Sequence, residues 1–136
     1  MVNLREDTRE SIAKLTLMDD IFMNKVFEND TERTALLLRI ILNNDKIKVI
    51  KAVTQQKLKN LSGHDLQLDI LAQEENGRLF NVEVQNRSSG AAARRARYHL
   101  SLLDAHSLPK GELYQKLPDN YVIFITQYDV LKGGLP

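Results

Sequence analysis

Asp69 and Glu83, with thirteen residues between them, stand in LQLDILAQ and LFNVEVQ, two segments that alternate apolar and polar side chains as half-buried strands do. Glu74-Glu75-Asn76-Gly77-Arg78 joins them, and Asn-Gly is a strong hairpin signal. Whether the two acids can act together depends on register. A two-residue Asn-Gly turn pairs Ala72 with Asn81 and Ile70 with Glu83, which mixes the two faces. A three-residue loop, Glu75-Asn76-Gly77, with Gly77 left-handed and a bulge, pairs Ile70 with Val82, Leu68 with Val84 and Asp69 with Glu83. It keeps Leu66, Leu68, Ile70 and Ala72 in one row with Phe80, Val82 and Val84. The acids then sit about 5 Å apart at Cβ, flanked by Gln67 and Gln85. Like charges so placed require a raised pKa or a cation. A hard divalent ion such as Mg²⁺, which binds through one or two carboxylates and completes its shell with water and phosphate oxygens, is the simplest partner. A slip of one residue leaves the acids as solvated edge charges instead.

The elements that must position this pair can be read on either side of it. Ile21, Phe22 and Val26 recur at helical spacing after Asp19 or Asp20, either of which can cap. Asn29-Asp30 interrupts. A second helix follows with Ala35, Leu38, Ile41 and Leu42 on one side and Leu36, Leu37 and Ile40 widening the stripe, a breadth that predicts a well-buried helix ending near Asn43-Asn44-Asp45. IKVIKAVT, residues 47–54, is a strand with one wet face, and residues 55–64 read as a loop. After the hairpin, Ala91 to about Ala105 is a helix with Ala92, Ala96, Leu100 and Leu103 on one face, and YVIFIT has the continuous apolar character of a central, doubly covered strand.

Composition narrows the chemistry. With 136 residues, 43% of them hydrophobic, the chain is the size of one domain able to bury a core. The absence of cysteine removes disulfides, thiolate zinc sites, a cysteine nucleophile and iron–sulfur clusters, so any metal has oxygen or imidazole ligands. No apolar run reaches the roughly 20 residues of a membrane span, and the charged N-terminus does not read as a secretory signal. The expectation is a cytoplasmic, bacterial-type protein without a membrane partner. The formal charge of +1 conceals an imbalance: residues 78–99 contain five arginines and one glutamate, a local net of +4.

Asp69, then thirteen intervening residues and Glu83-Val84-Gln85, resembles the core of the PD-(D/E)XK nuclease superfamily in the variant where Gln replaces the last Lys. LTLMDDIFMNKVFEND, ENGRLFNVEVQ, RRARYHLSLLD and YVIFITQYDVLKGGLP, in that order, resemble the bacterial PD-(D/E)XK family transposases, or recombination-promoting nucleases. The carboxylate motif is short and weakly specific; four collinear blocks are much more so. The resemblance implies an α/β restriction-endonuclease-like core, helix-strand-strand-strand-helix-strand, with a mixed sheet flanked by helices. It also implies that residues 1–136 are a single nuclease-like domain corresponding to the N-terminal part of a longer family member.

The activity so implied is metal-dependent DNA endonuclease chemistry of the transposase type. Asp69 and Glu83 are the metal ligands, the Val84 carbonyl and Asp20 are further candidates, and Mg²⁺ is the cofactor with Mn²⁺ as substitute. Gln85 would orient water or phosphate; it cannot supply the charge or proton traffic of a Lys. DNA is the partner, and Arg87, Arg94, Arg95, Arg97 and Tyr98 are its candidate contacts, since guanidinium groups suit bidentate phosphate recognition. Arg95, at the edge of the apolar helix face, is placed best to reach the site. His99 stands where the family commonly has an aromatic, and Gln67 where an Arg is common. His64, His99 and His106 share no metal-binding spacing. A weak homodimer is expected for cutting two strands. The competing reading is a catalytically inactive nucleic-acid-binding or interaction module that keeps the fold.

Overall fold

Asp30 starts the longer of the first two helices by accepting a hydrogen bond from the Arg33 N–H at 2.9 Å, and Asn43, left-handed at φ 48°, closes it by donating to the Arg39 carbonyl. In the computed structural model, which describes Lys14 and residues 20–85, 93–130 and 132–134, this helix is α2 (Thr31–Leu42) and is preceded by α1 (Asp20–Phe27). Three strands follow, β1 (Val49–Leu58), β2 (Leu66–Glu74) and β3 (Leu79–Gln85), then α3 (Ala93–Ser107), a 3₁₀ turn at Tyr114–Lys116, and β4 (Tyr121–Thr126). The sheet order is β1-β2-β3-β4. The first three strands form an antiparallel meander and β4 lies parallel to β3, as a crossover through α3 requires. This is the element order expected from the sequence.

Two apolar layers cover the sheet. Met23, Phe27, Ala35 and Leu38 of α1 and α2 pack on Val49, Ala52, Ile70, Ala72, Phe80 and Val82. Leu102 and Leu103 of α3 pack on Leu58 and Leu68, with Leu71, Leu79 and Val122 half-buried beside them. At the hairpin turn Gly77 is left-handed at φ 88°, its N–H donates to the Glu74 carbonyl, and the Glu74 N–H donates to the Arg78 carbonyl, each at 3.0 Å. The loop is therefore Glu75-Asn76-Gly77, and Ile70 pairs with Val82 and Ala72 with Phe80, as the face-matching register requires.

Five features differ from expectation, each through a long-range contact. β1 continues to Leu58 where a loop was expected, because Gln56, Lys57 and Leu58 pair with Leu68, Gln67 and Leu66. Alternation is not kept along β2: Ile70 and Ala72 join the α1/α2 layer, whereas Leu66 and Leu68 join the α3 layer. Ala52 and Leu58 divide in the same way across β1. The switch falls at Gln55, left-handed at φ 55°, whose register position is opposite Asp69. On α2, Leu36 and Ile40 remain 55% and 70% exposed and Ile41 is exposed as well, because only the Thr34, Ala35 and Leu38 side meets the sheet. On α3 the buried residues are His99, Leu102 and Leu103, and Leu100 is exposed. Finally, among the described residues β4 is the edge of the four-stranded sheet, and it is half-buried.

Candidate metal centre

The backbone ladder between β2 and β3 ends at Ile70–Val82, and the next pair is Asp69 and Glu83. There the side chains take over from the ladder. The Asp69 N–H donates to Glu83 Oε2 at 2.7 Å, and the Val84 N–H donates to Asp69 Oδ2 at 2.8 Å. Each carboxylate thus accepts from a backbone donor on the opposite strand, which fixes both acids face to face beside the bend at Gln55. Charged acceptors make such bonds shorter and stronger than neutral ones.

Glu83 is 1% exposed. Burial foremost, and the charge of Asp69 next, push its carboxyl up to about 7, against the bonds from the Asp69 N–H and Asn81 and the more distant charge of Arg95. Behind it lies a polar cluster absent from the candidate residues read off the sequence. His99 Nδ1 is 3.0 Å from Asn81 Oδ1 and 3.4 Å from Glu83 Oε1, and Asn81 Nδ2 donates to the Ile70 carbonyl at 3.2 Å. Burial and Arg95 hold His99 down at about 4, so the ring is neutral at pH 7. A usable signal existed for Asn81, which shares the alternating row of Glu83; His99 gave none beyond lying one helical turn after Arg95.

Residues 8–134 match the model of the family described as PD-(D/E)XK nuclease family transposase. The chain belongs to that family. No curated protein and no solved structure matches it. The four-stranded mixed sheet flanked by helices is that of a restriction-endonuclease-like PD-(D/E)XK fold.

Against the PD-(D/E)XK pattern, the donor chemistry fits a hard divalent ion: two oxygen ligands lie side by side, and the buried one resists ionisation while no cation joins it. Among the described residues no group of three His, Asp or Glu side chains could hold a metal, so water or substrate oxygens would have to complete a coordination shell. Asp20 is the first residue of α1, one turn before Asn24, whose side-chain oxygen accepts from Gln55 Nε2 at 3.3 Å; the Asp20 side chain lies outside the described part, as do Asp19, Ala92 and Arg87. Val84 packs its side chain into the α1/α2 layer, and Gln85 ends β3, half-buried opposite Thr126.

Arg94, Arg95 and Arg97 are exposed on the first turns of α3. Arg95 is the one whose charge reaches both Glu83 and His99, which agrees with its position at the edge of the buried helix face. Tyr98 is engaged within the protein: its hydroxyl donates to the His64 carbonyl at 2.7 Å and accepts from Asn60 Nδ2 at 3.0 Å, tying the β1–β2 loop to α3. His64 is exposed in that loop, and His106 Nε2 lies 3.2 Å from the Lys59 carbonyl, away from the acidic pair. Among the described residues no helix is long and apolar enough to cross a membrane.

Proposed function

We propose that this PD-(D/E)XK family member is a divalent-metal-dependent DNA endonuclease whose centre is Asp69 and Glu83. The observation that carries the reading is their reciprocal bracing across β2 and β3, with Glu83 buried against a second negative charge. Asp69 and Glu83 would hold Mg²⁺, or Mn²⁺ in its place, with the Val84 carbonyl and Asp20 as additional ligands. When bound, such an ion supplies Lewis acidity toward a phosphodiester and offsets the charge that develops on it. Gln85, at the end of β3, orients the attacking water or the phosphate through its amide.

The α3 arginines give the substrate its electrostatic approach. Arg95, whose charge is felt at Glu83, takes the scissile region, while Arg94 and Arg97 with Arg87 contact flanking phosphates. Tyr98 serves this surface by holding the 59–65 loop against α3. A weak dimer in the cytoplasm completes the reading, and light scattering with DNA present tests the dimer.

The deciding experiment is incubation of plasmid DNA with the protein and Mg²⁺ or Mn²⁺. Nicking or cutting that disappears in Asp69→Asn and Glu83→Gln, both folded, is the expected result. Salt-sensitive DNA binding without metal-stimulated cutting would instead identify a binding module that keeps the fold, a reading favoured by Gln85 in place of a lysine.

A further inference from the structure

The Asn81–His99 cluster is buried, polar and one residue removed from the acidic pair, and the proposed chemistry does not use it. His99 is 1% exposed at the underside of α3, and its ring meets Phe124 edge-on at 5.8 Å between centroids. Two oxygens face Nδ1, Asn81 Oδ1 at 3.0 Å and Glu83 Oε1 at 3.4 Å. The nearer of the two, Asn81 Oδ1, can only accept, because the amide nitrogen of Asn81 is committed to the Ile70 carbonyl, so Nδ1 must carry the proton whichever state Glu83 is in. Nε2 is buried with no hydrogen-bond partner among the described residues. A proton there would be an unsatisfied donor in an apolar setting, which costs about 1–3 kcal/mol. The Nδ1–H tautomer satisfies Nδ1 and leaves at Nε2 only a lone pair rather than a buried donor.

The consequence falls on Glu83. Its Oε2 accepts from the Asp69 N–H on the β2 side, and its Oε1 faces the His99 N–H on the α3 side. With Oε2 held by the Asp69 N–H and Oε1 lying 3.4 Å from the buried His99 ring, the planar carboxylate has little room to turn about its last torsion. Asn81 steadies the ring in turn, because its own amide is anchored to the Ile70 carbonyl on β2. The chain of contacts runs from β2 through Asn81 to α3 and back to β3.

We propose that His99, in the Nδ1–H tautomer and steadied by Asn81, is a positioning residue that fixes the Glu83 carboxylate toward Asp69 and thereby sets the metal affinity of the centre. This rests on the metal-site reading above. Partners of this kind behind a ligand typically change metal affinity 10–100-fold when removed.

Two measurements test it. Long-range ¹H–¹⁵N correlation on the wild-type protein without metal reads the tautomer between pH 6 and 8; Nδ1–H is expected, and Nε2–H overturns the inference whatever the metal does. Mn²⁺ affinity, read from the paramagnetic resonance signal of the unbound ion, is then compared among folded variants. His99→Leu should bind roughly 10-fold more weakly, and His99→Asn, which keeps a donor near the Nδ1 position, should recover most of that loss. If His99→Leu binds Mn²⁺ as the wild type does, or His99→Asn falls equally far, positioning is refuted although the metal site stands. If the wild type itself binds no Mn²⁺ and Asp69→Asn changes nothing, the metal site fails together with the affinity claim, and only the tautomer can survive. Should His99→Leu not fold, His99→Ala takes its place as the donor-free variant, and the tautomer is read independently of either.

Discussion

Glu74 and Glu83 are both buried glutamates on the same hairpin, at 5% and 1% exposure, and the protein treats them in opposite ways. Glu74, beside the turn, is given a cation. Arg78 Nε and Nη2 each approach Glu74 Oε2 at 2.6 Å, and the Arg78 guanidinium lies 5.8 Å from the centre of the Phe80 ring, which in turn stacks on Tyr121. Glu83, at the other end, faces the carboxylate of Asp69 and a neutral His99, and the charge of Arg95 does not outweigh burial and Asp69. One carboxylate closes a structural contact; the other is held in a state that a cation would relieve. Burial alone does not distinguish a structural acid from a functional one. The identity of the neighbours does.

The comparison can be broken most severely by activity. Asp69→Asn and Glu83→Gln should abolish metal-stimulated cutting of DNA, whereas Glu74→Gln should retain it; loss of cutting in all three would erase the distinction between the two ends. Stability should respond with opposite signs. In denaturant titrations at pH 8 without metal, Glu83→Gln should stabilise the protein by on the order of 2–3 kcal/mol, since it removes a charge whose folded-state pKa is raised. Glu74→Gln should destabilise it by about 1–2 kcal/mol, a figure reduced because the Arg78 side chain is partly exposed.

A divalent ion sharpens the contrast further. At about 100 times its dissociation constant, Mn²⁺ should stabilise the wild type and Glu74→Gln by about 2.7 kcal/mol and leave Glu83→Gln nearly unmoved. The pH dependence separates Glu83 from His99. Folded Glu83 holds its proton up to about 7 whereas an ordinary glutamate loses it near 4.5, so its contribution to stability falls as pH rises across that window. Folded His99 refuses a proton down to about 4 whereas an ordinary histidine accepts one near 6.5, so its contribution falls as pH drops across that window. The two slopes oppose each other between about 4.5 and 6.5. Wild-type stability without metal should therefore vary little there; Glu83→Gln should gain stability with rising pH and His99→Asn should lose it. Parallel profiles for the two variants would refute the assignment.

The smallest effect belongs to the outer arginines. The double change Arg94→Ala and Arg97→Ala should weaken DNA binding at all sequences and lower the salt slope by about 2, with Mn²⁺ affinity unchanged.

Much of the proposed centre is legible in the amino-acid sequence. Alternating faces and a glycine able to take positive φ decide the hairpin register, because pairing apolar rows is a local, two-strand problem, and that register alone puts Asp69 beside Glu83. The four collinear blocks point to the family in the same way, through residues that can be read along the chain. Tertiary structure decided what local pattern cannot. Which side of α2 is covered, why Leu100 is exposed while His99 is buried, and why β4 is an edge all depend on elements distant in the chain. The face switch at Gln55 and Asp69 arises from pairing between β1 and β2, and the burial of His99 from an oxygen on Asn81, eighteen residues earlier. Periodicity reports where apolar and polar groups lie along an element. Whether a polar group can be buried depends on a partner in three dimensions, and it was that pairing which brought Asn81 and His99 to Glu83.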